Sequence, residues 1–381
     1  LGATPIAVAQ TRRLHFAKKL IDQTNLPMTQ VAIASGFGCV RRFNATIRKV
    51  YHRTPTHIRR LVRKTFIQLP NHYVFHLDFR PPYDWESMLA FLAARATPGV
   101  EVVERGTYRR SIILNDCRGY FEVSLGERTD ALTVRVHFGD PRSLFFITSR
   151  IRAMFDLSAD CEAIAPTLRA DPVLRRCIEA NPGLRVPGCW NGFELATHAI
   201  LGREISVKAA TILASRMVKA FGEPTSATPG LTHFFPTPEV LAGAKNLVSI
   251  GLPVTKMETI RSLARAVCDG TINFNGIIRS DHLLSRLCEL PGIGKWTAQY
   301  VAMRALREPD AFPSGDIALL RALGLATSRE LELRAETWRP WRAYAVMYLW
   351  NVANEPRPHR KSRTPATSRR AVTGEQGGRP G

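Results

Sequence analysis

Two periods of apolar residues alternate along the 381-residue chain, and a stretch with neither closes it. From 1 to 64 apolar positions recur every three to four residues, the spacing of one helix face. A long helix is predicted over 6–22, a short one over MTQVAIAS after Leu26-Pro27, and another over 39–51 beyond Gly36-Phe-Gly38. On that last helix Phe43, Ile47 and Val50 fall together, while Arg41, Asn44, Arg48 and Lys49 share the opposite side. From 66 to 151 the pattern becomes alternation, in YVFHLDF, RRSIILND, YFEVSLG, LTVRVHF and SLFFITS, with one helix, WESMLAFLAARA, among them. That pattern predicts an antiparallel sheet with a helix packed on it. From 152 to 354 the helical period returns, and 355–381, rich in Pro, Arg, Ser and Gly, cannot form a core and is read as a disordered basic tail. The expected fold class is multidomain, mainly α with one α+β domain.

Charge adds a partner to this outline. The chain carries 53 Lys+Arg against 32 Asp+Glu, a net +21, and the surplus is uneven: 1–64 hold 13 basic residues and one acidic, 355–381 seven and two, and the middle is nearly balanced. A basic head and tail on a balanced body imply a polyanion, either nucleic acid or an acidic membrane surface. No apolar run approaches the roughly 18 residues of a membrane span, and no signal peptide opens the chain, so the simplest partner is DNA or RNA in the cytoplasm. Seven scattered cysteines without a C-x-x-C argue against a disulfide framework and a zinc knuckle. No metal or cofactor is expected, and the chain is read as a monomer.

The densest chemistry lies between Leu284 and Asp316. Two helical patterns flank a glycine turn, Leu290-Pro-Gly-Ile-Gly294, and an isolated carboxylate, Asp316, follows Trp296 by 20 residues. Gly292 and Gly294 leave backbone N–H groups unshielded at a helix start, which favours an anionic oxygen such as a phosphate; Lys295 and Thr297 complete the candidate grip. Asp316 precedes IALLRALG and so reads equally as a helix N-cap, a role compatible with chemistry. Trp296, Tyr300 and Met303 at i, i+4, i+7 form a stripe that suits either a core or a pocket wall.

Leu-Pro-Gly-Ile-Gly-x-Trp-Thr-Ala followed by Ala-Phe-Pro-x-Gly-Asp resembles the helix-hairpin-helix DNA glycosylases, specifically the 3-methyladenine glycosylase II branch often called AlkA. The resemblance covers 66–354 and includes Pro187-Gly-Cys-Trp190-Asn-Gly-Phe193. It implies a TBP-like sheet domain over 66–151, an all-α glycosylase domain over 152–354, Asp316 as catalytic aspartate, and Trp296, Tyr300 and Trp350 as the nucleobase pocket. Members that also cut the backbone hold a lysine two residues after the second hairpin glycine; here that residue is Trp296, which implies a monofunctional enzyme. No cysteine cluster for an iron–sulfur centre follows. At the Leu201–Ile205 junction the family carries the side chain that wedges into DNA; Arg203-Glu204 stands there instead.

The head carries a second resemblance. AVAQTRRLHFAKKLI, VAIASGFG and RRFNATIRKVYHRTPTHIRR are similar to the second helix-turn-helix of AraC-type regulators with its connecting helix. That implies a partial helix-turn-helix over 1–64, with Arg41, Arg42, Asn44, Arg48 and Lys49 facing DNA, joined as in adaptive-response fusions. The combined expectation is excision of alkylated purines, of the 3-methyladenine and 7-methylguanine type, from duplex DNA in base excision repair. The alternatives are a DNA-binding regulator with an inactive glycosylase-like domain and a glycosylase for oxidised or mismatched bases.

Overall fold

The computed structural model describes residues 4–62, 70–244, 251–274 and 280–354; the predicted tail lies outside them. The head is four helices, α1 (Pro5–Gln23), α2 (Met28–Ala34), α3 (Val40–Tyr51) and α4 (Pro55–Leu61). Thr4 accepts a hydrogen bond from the Ala7 N–H to start α1, and Pro5 has no N–H to leave unpaired. Thr54 and Pro55 start α4 in the same way, a helix the periodicity did not separate from the segment before it. In α3, Phe43 and Ile47 are fully buried. Val50, expected beside them, is 48 % exposed, because it sits in the last turn, where the helix runs out past the core.

A five-stranded antiparallel sheet follows: β1 (His72–Asp78), then α5 (Trp85–Arg95), β2 (Glu101–Glu104), β3 (Thr107–Leu114), β4 (Cys117–Leu125) and β5 (Ala131–Phe138), in the spatial order β1-β5-β4-β3-β2. The short β2 was not expected. SLFFITS is not a strand: Asp140 caps a 3₁₀ turn at Pro141–Ser143 that runs into α6 (Leu144–Met154). Its buried positions Leu144, Ile147, Ile151 and Met154 keep helical spacing, which a seven-residue window is too short to separate from alternation. Helix α6 also spans 151/152, so the boundary expected there falls inside a helix.

The head is not strung beside the sheet; it closes one edge of it. Strand β1 is an edge strand, and at His76 its carbonyl accepts from Lys19 Nζ while its N–H donates to Gln23 Oε1 at 3.2 Å, both from α1. Phe16 of α1 packs on Phe75 and Phe145, ring centroids 6.2 and 5.1 Å away. One hydrophobic cluster therefore runs from Leu20, Phe43 and Ile47 through Phe75 and Phe121 to Trp190.

The remainder comprises α7 (Cys161–Leu168), α8 (Pro172–Ala180), α9 (Gly192–Gly202), α10 (Val207–Phe221), a hairpin of β6 (Pro224–Thr228) and β7 (Leu231–His233), then α11 (Pro238–Gly243), α12 (Val254–Cys268), α13 (Ser280–Glu289), α14 (Lys295–Val301), α15 (Ile317–Leu323), α16 (Ser328–Ala335) and α17 (Arg342–Asn354). The hairpin corrects the expectation of an uninterrupted helical region. It turns at Gly230, φ 86°, and the Thr232 and His233 N–H groups both donate to Gly99 O beside β2. Two further apolar clusters fill this part, one around α8 and α17, the other around α9, α12 and α13.

Candidate active site

A cavity of about 340 Å³ opens between the sheet-side cluster and the cluster around α8 and α17, lined in large part from α5, α9, α10, α14, α15 and α17 and from the loop before α9. Its wall begins with α14. Trp296 and Tyr300 stack with centroids 5.3 Å apart and planes 9° apart, and Trp350 of α17 meets Tyr300 at 6.1 Å. All three line the cavity, whereas Met303 is fully buried and does not. The helical stripe thus divides into pocket and core. After Val301 the helix widens into a π-helical segment, Ala302–Leu306, which carries Arg304. Its buried guanidinium donates to Tyr300 Oη at 2.7 Å and to the carbonyls of Pro187 and Gly188 at 2.8 and 2.9 Å. It also lies over the Tyr300 and Phe91 rings, and Arg95 lies over Phe91 at 3.8 Å. Burial would raise the Tyr300 phenol, but Arg304 and Arg95 outweigh it and hold the phenol below its ordinary value. Burial lowers Arg95.

Asp316 sits at the cavity edge, held at both oxygens. Oδ1 accepts from the Ala318 and Leu319 N–H groups at 2.8 and 3.1 Å, capping α15, and Oδ2 accepts from Trp296 Nε1 at 3.1 Å. The loop before it is pinned to α14 by the Phe312 N–H donating to Gln299 Oε1, and Phe312 itself is buried. Capping and orientation toward the cavity therefore coexist. The next residue, Ile317, is 63 % exposed and does not line the cavity.

The hairpin lies alongside. Gly292 has φ 86°, and a Cβ there would stand 2.1 Å from Thr259 Oγ1, so the fold itself requires glycine. Gly294 differs: its backbone is extended, and a Cβ would meet nothing within 4 Å. Its missing side chain leaves the start of α14 open to close approach from outside, and no side chain caps that end. Lys295 is exposed and outside the cavity lining; Thr297 is 3 % exposed, so only its main chain could meet a phosphate. Arg203 donates to Gly292 O at 3.2 Å and tethers the α9–α10 loop to the hairpin, with Glu204 at its tip, φ 63°. On α3, Arg41, Arg42, Asn44, Arg48 and Lys49 are all exposed.

The far end of the cavity is a buried polar cluster that no motif announced. Arg110 of β3 donates to Glu194 of α9 at 2.7 Å and to Glu101 at 3.4 Å; Glu101 also receives the Tyr108 hydroxyl and the Thr97 N–H. Burial raises the Glu194 carboxyl despite Arg110, while Arg110 is held charged by its carboxylates in spite of burial. His198, next along α9, is pushed by burial down to about 4 and is neutral at pH 7. A sequence signal existed for part of this, since Arg304 repeats the 296–300 spacing. Arg110 is brought to Glu194 and His198, one turn apart on α9, only by the packing of the sheet on that helix.

Among the described residues no group of three or more His, Cys, Asp and Glu could hold a metal, and no helix is long and apolar enough to cross a membrane.

Comparison with known proteins shows what the chain is similar to. Residues 74–191 match the AlkA N-terminal domain and 1–61 a helix-turn-helix domain. A Mycobacterium tuberculosis protein described as "Probable bifunctional transcriptional activator/DNA repair enzyme AlkA" is 38% identical over 364 residues, 93% of this chain and 73% of that one. The Escherichia coli DNA-3-methyladenine glycosylase 2 is 33% identical over 279 residues, 73% of this chain and 96% of that one. In fold, a 3-methyladenine DNA glycosylase of Archaeoglobus fulgidus superimposes with a TM-score of 0.64 at 23% identity, over 73% of this chain and 98% of that one. On these matches, this chain belongs to the AlkA-type family of helix-hairpin-helix DNA glycosylases, with a helix-turn-helix at its head.

Proposed function

We propose that the protein is a monofunctional DNA glycosylase that flips alkylated purines out of duplex DNA and cleaves their N-glycosidic bond. The observation that carries this reading is the anchored Asp316, fixed at the cavity edge by Trp296 Nε1 and the start of α15. A purine alkylated at N3 or N7 is cationic and leaves as a neutral base with the bond's electron pair. The positive charge moves to the sugar, where the Asp316 carboxylate stabilises it, and water then adds at C1′ and loses a proton. A carboxylate with one oxygen on a helix start and the other on an indole cannot swing as charge develops, which is the preorganisation such a step needs. Among the described residues no lysine lines the cavity, which supports hydrolysis by water over a Schiff-base route.

Base flipping needs a surface that receives the unstacked purine. Tyr300 is backed by Trp296 and overlain by Arg304, so ring faces for a cationic base fall to Trp296 and Trp350. The hairpin at Gly292 and Gly294 grips the backbone with Lys295 alongside, and α3 contributes Arg41, Arg42, Asn44, Arg48 and Lys49 as further contacts to duplex DNA. The test is incubation of the full chain with dimethyl-sulfate-treated duplex and chromatography of the supernatant. Release of 3-methyladenine or 7-methylguanine with the strand left uncut is the expected result; strand cleavage without added base or heat, or no release, overturns it.

A further inference from the structure

Helix α9 runs along the cavity and turns Glu194, His198 and Gly202 toward it, one turn apart. Burial gives the direction: Glu194 is 6 % exposed, whereas the loop after Gly202 carries Ile205 at 38 %. His198 therefore stands midway between the open end and the Arg110–Glu194 pair. Its Nε2 lies 2.7 Å from Thr97 Oγ1, and no hydrogen-bond partner for Nδ1 occurs among the described residues.

The tautomer follows from satisfying both groups. Thr97 is fully buried, and its hydroxyl has His198 as its partner. Were Nε2 the donor, the Thr97 hydroxyl proton would be left buried and unpaired, which costs more than an unused lone pair. The hydroxyl therefore donates to Nε2, and the neutral ring carries its single proton on Nδ1. The neutral, fixed ring of His198 thus brings an N–H donor to a cavity whose other polar lining includes arginines and the carboxylates of Glu101, Glu194 and Asp316.

We propose that His198 Nδ1–H reads the inner edge of the flipped purine and favours 6-oxo purines over 6-amino purines. A 6-oxo group, as in 7-methylguanine or hypoxanthine, is an acceptor for this donor. A 6-amino group, as in 3-methyladenine, brings N–H against N–H and leaves both unpaired. The inference rests on the glycosylase reading, but it concerns selectivity between bases and not the bond-breaking step.

The experiment compares wild type, His198→Phe and His198→Asn on one batch of dimethyl-sulfate-treated duplex, reading the ratio of 7-methylguanine to 3-methyladenine released per lesion present. A ratio of two products from one reaction cancels losses in folding or DNA affinity. His198→Phe keeps the ring but removes the donor and should lower the ratio ~3- to 10-fold, the scale of one neutral hydrogen bond. His198→Asn places an amide N–H near the Nδ1 position and should recover most of it. A ratio unchanged in His198→Phe, or lowered equally in both variants, overturns the proposal. A second readout is independent of turnover: quenching of tryptophan fluorescence by free hypoxanthine against free adenine. A wild-type preference for hypoxanthine that disappears in His198→Phe supports the proposal even where no base is released, and equal quenching in all three proteins overturns it.

Discussion

Asp316 separates two roles that one substitution can pull apart. An Asn at 316 caps α15 with its amide oxygen as well as the carboxylate does. Having only one oxygen, it then turns its NH₂ toward the Trp296 indole N–H, donor against donor. Asp316→Asn should therefore unfold within about 1 kcal/mol of wild type yet lose ~10²-fold or more in excision, the scale of removing one preorganised electrostatic stabiliser. Melting and single-turnover release measured on the same sample decide it; near-normal release would remove Asp316 from the chemistry. Trp350 poses the complementary question, since it is 7 % exposed, stacks on Phe91 at 6.5 Å and still lines the cavity. Trp350→Leu should cost stability, and it should also lower release of 7-methylguanine relative to hypoxanthine ~3- to 10-fold, because both bases are 6-oxo but only the first is charged. An unchanged ratio with a lowered melting temperature would make Trp350 a packing residue alone.

At the scale of elements, charge inside the fold sets a pH dependence. Asp156 follows α6 and accepts from Tyr344 Oη of α17 at 2.9 Å and from the Val186 N–H at 3.3 Å, so it joins the sheet layer to the last helix. Burial pushes its carboxyl up to about 6, more than the Tyr344 bond and Arg185 pull it down. A raised carboxyl binds its proton more tightly folded than unfolded. Its contribution is therefore fully present below pH 4 and is lost as pH rises through about 6. Asp156→Asn keeps an acceptor without the charge and should raise stability at pH 8 by up to about 3 kcal/mol but by only about 1 kcal/mol at pH 4.5. Urea midpoints at the two pH values test this; an equal shift at both would place the effect outside Asp156 ionisation.

The elements also mark how far the sequence could be read. Strands β1, β3, β4 and β5 were legible because apolar core residues recur at alternate positions along each of them. Residues 144–154 were not, because seven residues of FFITS-type sequence satisfy both periods and only the later Ile151 and Met154 decide. The hairpin β6–β7 escaped because five- and three-residue strands carry too little alternation to register. In the site, the glycine turn, the aromatic pair on α14 and Asp316 lie within one short stretch and could be read together. The Arg110–Glu194–His198 cluster could not, since Arg110 lies 84 residues before Glu194 and meets α9 only when β3 packs on it.

For the whole molecule the head presents a choice of experiment. Deleting residues 1–62 would strip α1 from the sheet edge and uncover Phe75 and Phe145, and each large apolar side chain returned to water costs ~1.5–3 kcal/mol. Such a deletion tests stability more than DNA binding. Arg41→Ala with Arg48→Ala touches only exposed positions of α3 and should leave the melting temperature unchanged. It should weaken duplex binding and reduce the slope of log affinity against log salt by about two, one for each phosphate that an arginine no longer neutralises. An unchanged slope would show that α3 does not reach the backbone.

Because α1 shares one core with the sheet, the head cannot swing on a tether, and a helix seated in a major groove fixes the rotational setting of the duplex it holds. A damaged base then reaches the cavity only when the twist of the double helix turns it to that side. Excision should rise and fall with the spacing between a site bound by α3 and the lesion, repeating about every 10–10.5 base pairs. A flat profile along such a spacing series would mean that the two surfaces meet DNA on separate occasions.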